Sequence, residues 1–276
     1  MRAAIVLPNW IGDVAMATPA LRALRNHWPD GHLVGVMKPY VRHVLSGTHW
    51  LDEAVFYDRK SKNPNERFWG VVRALRARNI ETIVLCTNSL RAGAMAWLSG
   101  ARNRIGYARY GRGPLLTVAL DSPRERGKLQ PVSAVDYYLQ LTEAVGCGPS
   151  PRRLQLGTLP AEEARAESVL QELGLGTNVV GLNTGGAYGP AKTWPPEFAA
   201  ELARRILREE GSEVLVLCGP QEAETAAEIE RKANNPGVRS LAKHATSIGE
   251  LKAVIRRLRL LVSTDSGPRH LAAGLG

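Results

Sequence analysis

At 276 residues the chain is long enough for one large or two ordinary domains, each able to bury its own core, and two is the default expectation. No stretch approaches the roughly 20 apolar residues of a membrane-spanning helix, and the opening "MRAAIVLPNWIGD" turns polar too soon for a signal peptide, so a cytoplasmic protein is expected. The net charge of +10 sits mainly in residues 1–150, with 20 Lys+Arg against 11 Asp+Glu, while residues 151–276 carry 16 against 15. Such a field favours an anionic partner: nucleic acid, a phosphorylated lipid surface or a phosphorylated substrate.

In chain order, short apolar runs alternate with amphipathic stretches: "RAAIVLP", "ALRALRNHW", "HLVGVMK", "EAVFY", "FWGVVRALRARN", "ETIVLCT" and "AGAMAWLSG". Strand and helix periods taking turns predict crossover units and a parallel sheet. The first run leads into "LPNWIGDVAMATPALRAL", where a nicotinamide-binding turn would show G-x-G-x-x-G. Only Gly12 is present, which argues against that cofactor. The turn delivers Asp13 at the start of a helix, either as a cap worth about 1 kcal/mol or as a catalytic base. Pro19 either kinks a helix that starts at 13 or follows Thr18 as the cap of a second start. Cys86, Cys147 and Cys218 lie far apart with no CxxC spacing and read as small buried residues.

The Gly- and Pro-rich "GCGPSPRRLQLGTLP" has neither period and reads as a linker, giving domains of 1–160 and 161–276. Alternation then restarts, with strands near "NVVGLNT", "EVLVLCG", "VRSLA" and "LRLLVST" and helices near "PEFAAELARRILREE", "EAETAAEIERKA", "GELKAVIRRL" and "PRHLAAG". In "NTGGAYGPAKTWPPEF" Lys192 stands between a small-residue loop and a new helix, so it is either a solvated surface lysine or a point charge for a phosphate. In "STDSGPRHLAAGLG" Ser266 can cap a helix, Gly267 permits close backbone approach and Pro268 suits the first turn. The amides there would then aim at a diphosphate. His270 either adds a donor or packs. "CGPQEAE" offers Gln221 and Glu222 at a sheet rim, where a ribose hydroxyl could be accepted. Three phosphate or sugar contacts in one domain and one carboxylate in the other describe a transferase that uses a nucleotide sugar. Asp13 would serve the acceptor hydroxyl and Lys192 the departing diphosphate.

At these residues the sequence resembles the ADP-heptose:lipopolysaccharide heptosyltransferase family, closer to the heptosyltransferase II branch than to heptosyltransferase I. "PNWIGDVAMATPALRAL", "GAYGPAKTWP" and "STDSGPRHLAAGLG" are similar in order to three motifs of that branch. The resemblance implies a GT-B fold of two Rossmann-like parallel-sheet domains facing a cleft, the first binding the acceptor and the second the nucleotide sugar. It also implies metal-independent, inverting transfer of heptose from ADP-heptose to a phosphorylated inner-core heptosyl-Kdo-lipid A acceptor. By position, Asp13 matches the family's base and Lys192 its phosphate-binding lysine. Thr184, Gly185, Asp265, Ser266, Gly267 and His270 match donor contacts, and Glu222 a ribose acceptor. The stretch "RNRIGYARYGR", with Arg102, Arg104, Arg109 and Arg112, would draw the anionic acceptor, or else is a solvated charged loop.

Arg269 departs from the family, which usually has Met there. The family's second domain normally continues for two more strands and a return helix, so this one is expected to be incomplete, with strand 259–263 as an apolar edge and activity reduced or dependent on a partner. A nucleotide-sugar binding module without catalysis is the alternative. Nucleic-acid binding rests on charge alone, without stacking aromatics or a recognition helix. Membrane contact is expected to be peripheral, at the cytoplasmic face of the inner membrane.

Overall fold

The computed structural model describes residues 1–122, 124–125, 128–186 and 192–276. The chain divides between Gln155 and Leu156 into two units.

The first unit runs β1 (Arg2–Val6), α1 (Ile11–Met16), α2 (Thr18–His27), β2 (His32–Met37), β3 (Glu53–Phe56), α3 (Phe68–Ala77), β4 (Thr82–Leu85), α4 (Leu90–Leu98), β5 (Asn103–Tyr107) and β6 (Val118–Leu120). A two-residue antiparallel ladder, β7 (Arg124–Glu125) with β8 (Lys128–Leu129), precedes α5 (Ala134–Glu143). Six strands form one parallel sheet in the order β3-β2-β1-β4-β5-β6. All four residues of β4 are buried, as continuous apolar runs must be when helices cover both faces of a sheet. Val6, Val36 and Leu85 from the strands pack with Val71, Leu75 and Met95 from α3 and α4.

The second unit runs α6 (Pro160–Glu172), β9 (Val179–Asn183), α7 (Pro196–Glu210), β10 (Glu213–Val216), α8 (Ala223–Ala233), β11 (Val238–Ser240), α9 (Ile248–Arg256), β12 (Leu260–Ser263) and α10 (Gly267–Leu275). Its four parallel strands are ordered β11-β10-β9-β12. Gly211, in the left-handed region at φ 61°, ends α7, and Asn234 at φ 48° ends α8. β12 is an edge strand of the described sheet, with Leu260 at 57 % exposure.

In both sheets the strand order reverses once, between β1 and β4 and between β9 and β12. Loops leaving the carboxyl ends of those strands diverge and open a crevice, the usual ligand position in such sheets. Pro19 resolves as the second of its two readings, because α1 stops at Met16 and α2 restarts with Pro19 in its first turn. Thr18 does not cap that helix. Its hydroxyl donates to the Ala15 carbonyl at 2.7 Å and accepts from the Gln155 amide at 3.2 Å. Cys86 and Cys147 are buried and Cys218 half-buried, and burial pushes the thiols up, to about 12 for Cys86 and about 11 for the other two. Inert packing is their role.

The basic stretch after residue 101 is not the loop expected, since 103–107 form β5. Arg102 and Arg104 therefore stand at the amino end of a parallel strand, away from the ligand-binding edge. Arg104 is tied there by donating to the carbonyls of Ala101 at 2.6 Å and Leu115 at 2.8 Å. Arg112 is fully buried. It donates to the Tyr107 carbonyl at 2.8 Å, to Asn88 Oδ1 at 3.1 Å and to the Thr87 carbonyl, and so ties the carboxyl ends of β4 and β5 together. Enclosed in this way, Arg112 cannot meet an acceptor, and of the two that follow the carboxyl end of β5 only Arg109 is left for one. Arg112→Met should cost about 2–4 kcal/mol, because three buried acceptors lose their donor; the urea midpoint measures this.

Candidate functional site

Asp13 is the third residue of α1, not its cap, since Trp10 holds the cap position, without a side-chain capping bond. The carboxyl is half-buried, and burial raises its pKa above the ordinary aspartate value. Among the described residues nothing donates a hydrogen bond to it. Tyr138 on α5 is near enough that the Asp13 charge adds to the effect of burial in pushing the phenol up. A carboxylate that lacks stabilising donors is a stronger proton acceptor than a capping one.

In the same unit, where the strand order reverses, lies a cavity of about 560 Å³ lined by Asn9, Lys38, Tyr57, Thr87, Asn88 and Tyr110 among others. The Tyr57 hydroxyl and Thr87 Oγ1 are buried and without a partner among the described residues. Two orphaned hydroxyls in a largely apolar cavity are what a hydroxylated ligand would satisfy. Sequence reasoning passed over these positions, although Lys38 and Thr87 each stand directly after an apolar run.

In the second unit Asn183, the last residue of β9 and buried, organises the turn. Its Nδ2 donates to Ser266 Oγ at 2.8 Å, Ser263 Oγ at 3.1 Å and the Gly185 carbonyl at 3.4 Å. The Gly185 carbonyl also accepts from Thr264 Oγ1 at 2.5 Å. Thr184 is buried, and its carbonyl accepts from the Trp194 amide at 2.9 Å. Asn183 is a second omission of the sequence reading; a lone amide closing the run "VVGLN" was its signal.

Glu222 caps its own turn by accepting from the Gly219 amide at 3.0 Å, and its carboxylate lies where a side chain on residue 185 would be. Gly185 is glycine because a Cβ there would overlap that carboxylate. Lys192 Nζ lies 3.4 Å from Asp265 Oδ2 and donates to the Asp265 carbonyl at 3.3 Å. Arg269 reaches the same carboxylate at 3.3 Å and His270 Nε2 lies 3.9 Å from it. Asp265 is accordingly held below the usual carboxylate range, by Lys192 first and then by Arg269. His270 is pushed down by burial and by Arg269, against Asp265, which favours its neutral form.

Ser266 occupies the cap position of α10, yet its hydroxyl makes no capping bond and accepts from Asn183 instead. The amides of the α10 first turn, from Gly267 onward, are thus left without the side-chain cap expected there. Thr184, Gly185, Lys192, Glu222, Asp265, Ser266, Gly267 and His270 meet around one turn at the reversal of strand order. Residues 187–191 of the small-residue loop lie outside the described residues. Among the described residues no three His, Cys, Asp or Glu side chains gather as metal ligands.

The family described as glycosyltransferase family 9 (heptosyltransferase) matches residues 68–276. Lipopolysaccharide heptosyltransferase 2 of Escherichia coli (strain K12) is 25 % identical, over 100 % of this chain and 80 % of its own length. A glycosyl transferase family 9 structure from Veillonella parvula superposes with a TM-score of 0.86 at 23 % identity, covering 100 % of this chain and 78 % of that one. The E. coli ADP-heptose lps heptosyltransferase II structure gives 0.80 at 23 %, covering 100 % and 82 %. Similarity at that level establishes the fold, which is of GT-B type.

Removing the Asn183 amide leaves a buried carbonyl and two hydroxyls without their shared donor. Asn183→Leu should therefore cost about 2–3 kcal/mol, read from chemical denaturation.

Proposed function

Since the chain belongs to glycosyltransferase family 9, the heptosyltransferases, we propose that it transfers heptose from ADP-heptose to a phosphorylated inner-core lipopolysaccharide acceptor such as heptosyl-Kdo-lipid A. The observation that carries this reading is the turn around Gly185, where an ammonium, an uncapped helix start and a carboxylate collect at a strand-order reversal. That set suits a nucleotide diphosphate: Lys192 and the α10 amides for the phosphates, Glu222 for a ribose hydroxyl.

The chemistry needs a proton acceptor and a cation. Asp13 accepts the proton of the acceptor hydroxyl as its oxygen attacks the anomeric carbon, and the bond to the diphosphate breaks on the opposite face, which inverts the configuration. Lys192 stabilises the charge that grows on the leaving ADP, the task a metal ion performs elsewhere, so no metal is needed. The acceptor's sugar occupies the cavity at the carboxyl ends of β1, β2 and β4, with Arg109 following the carboxyl end of β5. Arg269, in place of the family's Met, adds a second cation to the diphosphate turn. No helix among the described residues is long and apolar enough to cross a membrane, and the glycolipid acceptor calls for peripheral contact with the cytoplasmic face of the inner membrane.

Calorimetric titration with ADP, UDP and GDP tests the donor assignment. Selective binding of ADP is expected, and equal or absent binding of all three overturns it. ADP-heptose binding without release of ADP in the presence of acceptor would leave a binding module only.

Asp13→Ala should lower turnover by about 10² to 10⁴ with donor affinity unchanged. In the unaltered enzyme kcat/KM should fall as pH drops through the raised Asp13 pKa, above the ordinary aspartate range, because only the ionised form accepts a proton. Lys192→Ala should weaken both donor binding and rate. Near-normal turnover of the Asp13 variant removes it from the mechanism.

Gly185→Ala should expel the Glu222 carboxylate and weaken ADP binding as much as Glu222→Ala does, with little further loss in the double variant. Additive losses in that cycle would mean that Gly185 acts independently of Glu222.

A further inference from the structure

The outward stripe of α3 carries Trp69, Arg73 and Arg76, and that of α4 carries Leu90, Ala94 and Trp97, each at i, i+4, i+7 spacing. Their opposite stripes, Val72 and Leu75 on α3 with Met95 and Ala96 on α4, enter one core. At the amino ends the Arg91 guanidinium lies over the Phe68 ring at 5.8 Å. At the carboxyl ends Arg76 Nε donates to the Leu98 carbonyl at 2.6 Å. The helices therefore run side by side and present one continuous outer face.

That face is apolar and cationic together. Trp69 is 64 % exposed, Trp97 55 % and Leu90 51 %. At its amino end a groove of about 420 Å³ holds Arg59, Arg67, Arg73 and Arg91 around Phe68 and Trp69, with no carboxylate in its lining. Among the described residues none of these four arginines is in an ion pair. Nothing in the fold accounts for large apolar side chains left in water beside unneutralised guanidinium groups, and a contiguous exposed patch of this kind marks an interaction surface.

We infer that the α3–α4 face docks on an anionic phospholipid bilayer. Tryptophan favours the headgroup layer, where its ring is apolar and its N–H is solvated, and guanidinium groups are drawn to lipid phosphates. Trp69, Leu90 and Trp97 enter the headgroup layer from two parallel helices lying flat, and the arginines of the groove meet the phosphates. A duplex nucleic acid would also meet the arginines, but it has no use for Leu90, and its paired bases leave no open face for the tryptophans. The inference takes its partner from the peripheral reading above and its place from this face.

Co-sedimentation of the full chain with vesicles tests it, using phosphatidylcholine alone and phosphatidylcholine mixed with phosphatidylglycerol. Binding is expected only to the mixed vesicles, weakening as salt rises. Arg59→Ala with Arg73→Ala should lower the partition about thirtyfold, the factor expected of two basic side chains at an anionic surface. Trp69→Ser with Trp97→Ser should also release the protein, while Arg205→Ala with Arg208→Ala on α7 should change nothing. All variants lie on the surface, and matching circular dichroism and melting curves would show that they fold. If the unaltered chain binds and the α3–α4 variants bind equally, this face is overturned while peripheral contact stands. If the unaltered chain ignores anionic vesicles, both fall. Release by excess oligonucleotide, with the tryptophan variants indistinguishable from the parent, would reassign the face to nucleic acid and overturn the inference. None of these readings requires donor, acceptor or turnover.

Discussion

One carboxamide holds the second unit's turn together. A parallel sheet delivers all its carboxyl-end loops to the same edge, but it does not fix how those loops lie once they diverge at the reversal of strand order. Asn183 supplies that fixing. Its two N–H bonds are shared among the loop after β9 and the loop after β12, so the positions of Gly185 and Ser266 depend on one side chain. Everything placed by those loops follows from it: the contact of Gly185 with Glu222, the approach of Lys192 to Asp265, and the start of α10. Arg112 plays the matching part in the first unit, where it joins the loops after β4 and β5. A buried polar group in each unit thus sets an edge that apolar packing alone would leave loose, in keeping with the way satisfied polar networks specify one arrangement.

Much of this was legible in the sequence. The strands β1, β4, β9 and β10 announce themselves as uninterrupted apolar runs, because only strands covered on both faces carry them. The residues of the turn around Gly185 follow directly on such runs, so their placement at one edge could be inferred from order alone. What stayed hidden depends on tertiary contacts. Arg112 belongs to a stretch with Arg102, Arg104 and Arg109, and nothing in residue type distinguishes the one that is enclosed from those that are not. The polar residues flanking Ile105 masked β5 as a loop, and with it the fact that Arg102 and Arg104 lie at the amino end of the strand, opposite the edge where such sheets usually bind ligands. Ser266 was a cap by position only, since its hydroxyl was claimed by an asparagine more than eighty residues earlier in the chain. The orphaned hydroxyls of Tyr57 and Thr87 likewise come from separate strands, and no spacing rule joins them.

Charge follows a similar division. The first unit's excess of basic residues reads as one property of the sequence, yet the structure spends it in three ways. Arg112 and Arg104 hold backbone carbonyls, Arg78 pairs with Glu53 on β3, and the cations around α3 and α4 are left facing water. Net charge therefore overstated the field available to a ligand at the sheet's edge and understated its concentration elsewhere on the unit.

If the turn binds the diphosphate proposed above, the carboxylate of Asp265 has a consequence for turnover. It already holds Lys192 and Arg269 before any ligand arrives, so an incoming anion enters by exchange and not by simple addition. The gain is then the difference between two anions, which favours a multiply charged group over a singly charged one and keeps its grip moderate. On departure the resident carboxylate takes the cations back, lowering the barrier to release. A site of this kind trades tightness for throughput, and its two cations never have to stand uncompensated between cycles.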